Sequence, residues 1–488
     1  MRIIGTLPQD PRPWSERRDG ALADTTMRTT IGLVTRRLHL ARQHVYRDFP
    51  MGETDRLRSV KDKREAIKNL DTLLAEFRRS VEDHGGHTYL ASRAGDAVDI
   101  VRTIAKTAGV RRVVKTKSMA TEEIELNQGL IASGIEVVET DLGEYIIQRA
   151  GEKPSHILAP AAHKNRAAVQ QLFQWDARNA RMEPPESDDP AILTRYARER
   201  LRQEFLQADM GITGGNFLVA ETGSVVIITN EGNADMVTSL PPILVSVVGV
   251  EKILTDWQSL MHIIQQPAMN GVGQRLSSYT TIVSGIRAKD GVEGPQAWHV
   301  VLVDNGRTAL QNSRYEDVLS CIRCGACLNA CPVFREIGGH AYGSVYSGPI
   351  GIVETSLLTD LRVLPELSSV ACTMCHACAD ACPMDIDLPG HIVSLRKEKV
   401  ERHRTAKGAD LTYRWWARQW ATAKGYRRTI RMARFGQRVY RKHGLLQSGP
   451  GLASGWFQTR TMPPVAGQTF GEWWSKTRGG EGNEHGGK

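Results

Sequence analysis

CIRCGACLNACP, residues 321–332, and CTMCHACADACP, residues 372–383, hold all eight cysteines of the chain. Each is a C-x2-C-x2-C-x3-C-P run, so every thiol is placed in two copies of one metal-type pattern, not in a packed core or in disulfides. Three thiolates on a tight loop can reach three irons of one cubane. The fourth, three residues later, starts a helix that leads away, and in two-cluster ferredoxins it ligates the other cluster. The spacing predicts two [4Fe–4S] clusters, one on Cys321, Cys324, Cys327 and Cys382, the other on Cys372, Cys375, Cys378 and Cys331. Pro332 and Pro383 turn the chain without demanding a backbone donor. Zinc is the alternative, but four-cysteine zinc sites favour two C-x2-4-C pairs over a triad plus one.

Outward from these runs the composition changes on both sides. Between them lies the glycine-rich stretch Gly338-Gly339-His340-Ala341-Tyr342-Gly343, suited to close approach or docking; His340 reads as a ligand or as an ordinary hydrogen-bonding histidine. Beyond them, Arg396 to Lys442 carries sixteen Lys or Arg against three acidic residues, more than the whole net charge of +9. Such a stretch suits an acidic partner, an anionic membrane surface or nucleic acid, and no nucleic acid is expected. Six of the ten tryptophans, Trp415, Trp416, Trp420, Trp456, Trp473 and Trp474, follow in the same region. Aromatics at that density predict that the segment folds onto something.

On the amino-terminal side, Ile67, Leu70, Leu73, Leu74, Phe77 and Val81 mark one face of a helix that Gly85 and Gly86 stop. From Tyr89 short apolar stretches alternate with helical ones. Val110–Val114, Ile135–Val138, His156–Ala159, Asn216–Ala220, Ser224–Thr229, Ile243–Val250 and Trp298–Val303 read as strands of one largely parallel sheet, with a hairpin about Glu221-Thr222-Gly223. The predicted organisation is a flexible leader (1–27), a helical region (28–88), an α/β domain (89–310), a cluster module (311–395) and a basic, Trp-rich helical or irregular domain (396–488). No run of 18 apolar residues and no apolar secretory region is present, which places the chain in the cytoplasm.

Candidate ligand residues gather where α/β proteins bind small molecules, past strand ends. Lys115, Lys117 and Ser118 follow one strand and could clamp a carboxylate or phosphate, with solvation of two surface lysines as the plain alternative. Gly214, Gly215 and Asn216 could offer backbone N–H groups to an anion, and Glu221, Asn230, Glu231 and Asn233 flank the hairpin, where turn formation explains them as well. No catalytic base is assigned, and no G-x-G-x-x-G or Walker run is present.

Four stretches resemble the lactate utilization protein B family: Lys115–Met119 with Glu122-Glu123-Ile124, Glu136–Tyr145, Gly211–Phe217 with Ala220–Gly223 and Asn230–Asn233, and the Cys321 run with Gly338–Gly343. The resemblance implies an α/β LUD domain of the ribose-5-phosphate isomerase and CoA-transferase type, then an α-helical ferredoxin-type dicluster module and a carboxyl-terminal lactate-utilization domain. It also implies a role as the iron–sulfur subunit of an L-lactate oxidation system, with partners resembling lactate utilization A and C and an unidentified electron acceptor. A self-contained oxidoreductase acting on a small hydroxy or keto acid in the LUD pocket is the alternative. Asp235 and Leu244 stand where relatives more often carry a basic residue and a histidine.

Overall fold

Ten short strands, most of them Val- and Ile-rich, organise the first four hundred residues: β1 (His87–Ala91), β2 (Arg112–Lys115), β3 (Glu136–Glu139), β4 (Met210–Thr213), β5 (Phe217–Val219), β6 (Ser224–Thr229), β7 (Ile243–Gly249), β8 (Ile253–Leu254), β9 (Tyr279–Val283) and β10 (Ala297–Val303). The computed structural model describes residues 5–287, 291, 294–359, 367–402, 407–449, 454, 456–458 and 460–477. Six strands form one sheet, β1-β10-β7-β4-β2-β3, in which every pairing is parallel. Helices cover it, so Met210, Ile212, Leu244, Val245, Val247 and Val248 are buried on both faces, as a parallel sheet requires.

The expected hairpin forms between β5 and β6, but in a second sheet, β8-β5-β6-β9, and not as a continuation of the first. Gly214 and Gly215 make the departure after β4. A Cβ on Gly215 would stand 2.9 Å from Val248 and 3.1 Å from Val225, so the chain can leave the sheet there only without a side chain. His156–Ala159, expected as a strand, is irregular. The Nδ1 of His156 accepts the backbone N–H groups of Leu158 (3.0 Å) and Ala159 (3.3 Å), donors that a ladder would have needed.

The apolar face from Ile67 to Val81 spans two helices, Met51–Lys68 and Leu70–Asp83, with Asn69 at the break. Gly85, at φ +79°, ends the second. The segment expected as a flexible leader is built into the body from residue 5 onward. Leu7 and Trp14 are buried, Thr6 exchanges hydrogen bonds with Asn305, and a helix runs Trp14–Ala23. Short helices carry the cysteine region, and the expected boundary at 396 falls inside the helix Leu388–Glu401. Residues 1–402 and 403–488 are separate units. The second contains the helices Lys407–Trp420 and Ala423–Tyr440, joined through Trp416, Trp420 and Tyr426 with ring centroids 5.1 Å apart at each step, and a helix Phe470–Thr477.

Candidate cluster sites and an adjoining cavity

The two cysteine runs share one backbone plan. The third and fifth residues of each, Arg323 and Gly325 in the first, Met374 and His376 in the second, all adopt positive φ between 58° and 70°. Three of these four are not glycine, and each such residue costs on the order of 1–2 kcal/mol, so the loop is held in this curl by what surrounds it. The fourth cysteine of the first run, Cys331, caps the helix Pro332–Ile337, with the N–H of Phe334 on its sulfur at 3.5 Å.

Sulfurs from opposite runs meet. Cys321, Cys324, Cys327 and Cys382 line one small space walled by Ile157, Ile350, Met384, Ile386 and Leu388. Cys331 lies within electrostatic range of Cys372, Cys375 and Cys378. Burial, reinforced by the neighbouring sulfurs, pushes Cys324 and Cys378 up to about 12, and burial pushes Cys382 up to about 11. Four sulfurs crowded into an apolar space can all be thiolates only when metal charge compensates, so the residues fit a soft-metal group. Backbone N–H groups of Ala326, Ile350, Met384 and Ile386 are directed at these sulfurs, a feature that tunes iron–sulfur potentials. His340 faces neither set; its Nε2 hydrogen-bonds the Lys153 carbonyl at 2.6 Å.

Beside the first set lies a cavity of about 480 Å3. Because β2, β4 and β7 are parallel, their carboxyl ends share one side, and the residues at and just past these ends supply Thr116–Ser118, Gly214–Asn216, Gly249, Glu251 and Lys252 to its wall. Ile157, Ile322 and Arg323 line both this cavity and the space of the first cysteine set. The Lys252 ammonium donates to the Cys321 carbonyl at 2.9 Å. A buried ionic chain forms part of the wall: Arg307 bridges Glu123 (2.6 Å) and Glu251 (2.7 Å), Glu251 reaches Arg323 (3.7 Å), and Arg323 pairs with Glu354. Burial lowers the Lys117 ammonium, whose Nζ donates to the Ile157 carbonyl. Burial lifts Glu144 to about 8; burial and the nearby Asp141 lift Glu231 to about 7.

Eight of the ten residues predicted for a pocket line this cavity: Lys117, Ser118, Gly214, Gly215, Asn216, Asn230, Glu231 and Asn233. Lys115 and Glu221 do not. Lys115 is fully buried, in register opposite Glu139 of β3, with Nζ 2.8 Å from that carboxylate and 3.6 Å from Glu122. Glu221 accepts the N–H of Trp257 at 3.3 Å on the far side of the hairpin. Leu244 packs in the core beside its register partner Trp298. The sequence reading missed Arg307, Arg323, Glu251, Lys252 and Tyr346, single residues from distant segments with no spacing signal.

A LUD domain model matches residues 74–303 and a 4Fe-4S dicluster domain model residues 317–386. The parallel sheet with its crevice and the paired cysteine sets thus define a LUD-domain iron–sulfur protein. Lactate utilization protein B of Oceanobacillus iheyensis is 38% identical over 472 residues, covering 96% of this chain and 97% of its own. The proteins of that name from Shouchella clausii (39%, 96% and 98%) and Geobacillus kaustophilus (40%, 88% and 90%) are similarly alike. The chain belongs to the lactate utilization protein B family. A crystal structure of a DUF162 family protein from Deinococcus radiodurans matches 48% of this chain and 98% of its own at 16% identity with a TM-score of 0.26, too little overlap for a fold argument.

Proposed function

We propose that this protein is the iron–sulfur, electron-carrying subunit of a multi-protein system that oxidises L-lactate to pyruvate, working in the cytoplasm with proteins resembling lactate utilization A and C. The observation that carries this reading is the meeting of Cys382 with the first run and of Cys331 with the second, which supports two interlaced [4Fe–4S] clusters. When bound, such clusters supply two adjacent one-electron carriers, matching the two electrons that leave lactate with two protons. The chain's own part is to hold the sulfurs together, the first set in apolar surroundings, and to direct N–H groups at Cys324, Cys327 and Cys382. The test is anaerobic isolation with co-purifying proteins, followed by EPR before and after L-lactate. Reduction that requires the partners supports the relay. An isolate that stays unreduced with every partner present contradicts it.

The shared wall of Ile157, Ile322 and Arg323 favours a second reading, in which the cavity itself takes a small hydroxy or keto acid. Lys117 supplies the cation and Ser118 and Asn233 the polar contacts. Turnover of lactate by the purified single chain, lost in Lys117→Gln with iron content unchanged, supports this reading over the relay alone.

A further inference from the structure

The helix Ala423–Tyr440 has six basic residues, no acidic one and no buried side chain. It is nevertheless two-faced. Thr429, Ile430, Ala433, Arg434, Gln437 and Tyr440 are half-buried at spacings of one, three and four. That side is held by Gln437 to the backbone of Val465 and by Arg434 to Glu472 at 3.0 Å. The other side presents Arg427, Arg428, Arg431 and Arg438, and among the described residues no carboxylate pairs with them.

Within this basic side runs an apolar stripe. Met432, Phe435 and Val439, at i, i+3 and i+7, are 58%, 73% and 80% exposed. Arg438 lies over the Phe435 ring, 5.5 Å from its centroid. Trp415, Phe470, Trp473 and Trp474 of the same unit are also exposed. A polyanion such as a nucleic acid backbone would use the arginines and leave the stripe in water. An interface with phospholipid uses both, since headgroup phosphates meet the guanidinium groups and the acyl boundary receives the large apolar side chains. Among the described residues no helix is long and apolar enough to cross a membrane, so any such contact is peripheral.

We propose that the exposed face of the helix Ala423–Tyr440 is a peripheral membrane anchor that seats on anionic lipid, with Arg427, Arg428, Arg431 and Arg438 at the headgroups and Met432, Phe435 and Val439 below them. The full-length, anaerobically purified protein is to be sedimented with mixed phosphatidylglycerol–phosphatidylcholine vesicles and with pure phosphatidylcholine vesicles. Binding is expected only to the mixed vesicles and falls as salt rises. Replacing Arg427, Arg428 and Arg431 by Gln is expected to weaken binding roughly five-fold per arginine, on the order of a hundred-fold together. The double variant F435S/V439S is expected to lose about ten-fold or more with iron content unchanged. These positions are exposed, so neither variant threatens the fold. The proposal is overturned if the mixed vesicles are not bound or if F435S/V439S binds them like the unaltered chain. It is equally overturned if polyglutamate or duplex DNA competes for the helix as well as the vesicles do, whatever stands at 435 and 439.

Discussion

Replacing Lys115 by Met separates a structural lysine from a ligand-binding one. Lys115 is fully buried; its ammonium pairs with Glu139 at 2.8 Å, stands 3.6 Å from Glu122 and donates a hydrogen bond to Thr121 at 3.0 Å. Burial opposes its charge, but the two carboxylates outweigh burial and hold the ammonium protonated above its ordinary range. Methionine fills the same space and leaves Glu139, itself 2% exposed, without its cation. Removing one partner of a buried pair costs about 3–5 kcal/mol. At roughly 2–4 °C per kcal/mol for a domain of this size, the melting midpoint is expected to fall by about 6–20 °C. The double variant K115M/E139Q removes the stranded charge and is expected to recover most of that loss. The assay is anaerobic thermal unfolding of all three proteins at one scan rate, followed by far-UV circular dichroism. A K115M protein as stable as the unaltered chain, yet unable to be reduced by lactate with its partners, would refute the structural role and return Lys115 to the cavity.

Glu231 gives a pH dependence with a definite sign. Its carboxyl is raised from 4.5 to about 7 in the folded chain, so the folded state holds the proton more tightly and stability declines as pH rises between those values. Glu231→Gln is therefore expected to stabilise the protein by on the order of 1–3 kcal/mol at pH 8 and to change little at pH 4.5, as measured by denaturant midpoints at both pH values. Gly339→Ala drives a Cβ into the Ser155 carbonyl oxygen and is expected to cost about 1–3 kcal/mol. Gly232→Ala, whose nearest neighbour would be 3.8 Å away, is the control expected to be neutral in the same melts.

Four strands of the parallel sheet, β2, β3, β7 and β10, were legible from their Val-rich runs, which need cover on both faces, whereas β1 (HTYLA) and β4 (MGIT) carry no such run and were not read as strands. Which sheet the β5–β6 hairpin joins was not legible, since turn chemistry fixes local pairing and says nothing about the neighbours. Lys115 and Lys117 differ for a reason two residues long. Lys115 is still in β2, opposite Glu139, just as Arg112 is opposite Glu136, whereas Lys117 has passed the strand end into the crevice. The cysteine sets were readable because spacing alone encodes them. The ionic chain through Arg307, Glu251 and Arg323 was not, because its members are brought together only by the packing of the cluster region against the carboxyl ends of the sheet.

The interlacing of the two cysteine runs is tested most directly by iron and sulfide content, with EPR after dithionite, in two double variants purified without oxygen. C324S/C382S alters one cysteine from each run but, if the runs cross, only one cluster, so about half of the iron and one reduced signal are expected to remain. C324S/C331S alters two cysteines of a single run but both clusters, and is expected to retain neither intact. The reverse pattern, with iron kept in C324S/C331S and lost from C324S/C382S, would show that each run closes on itself and would contradict the account.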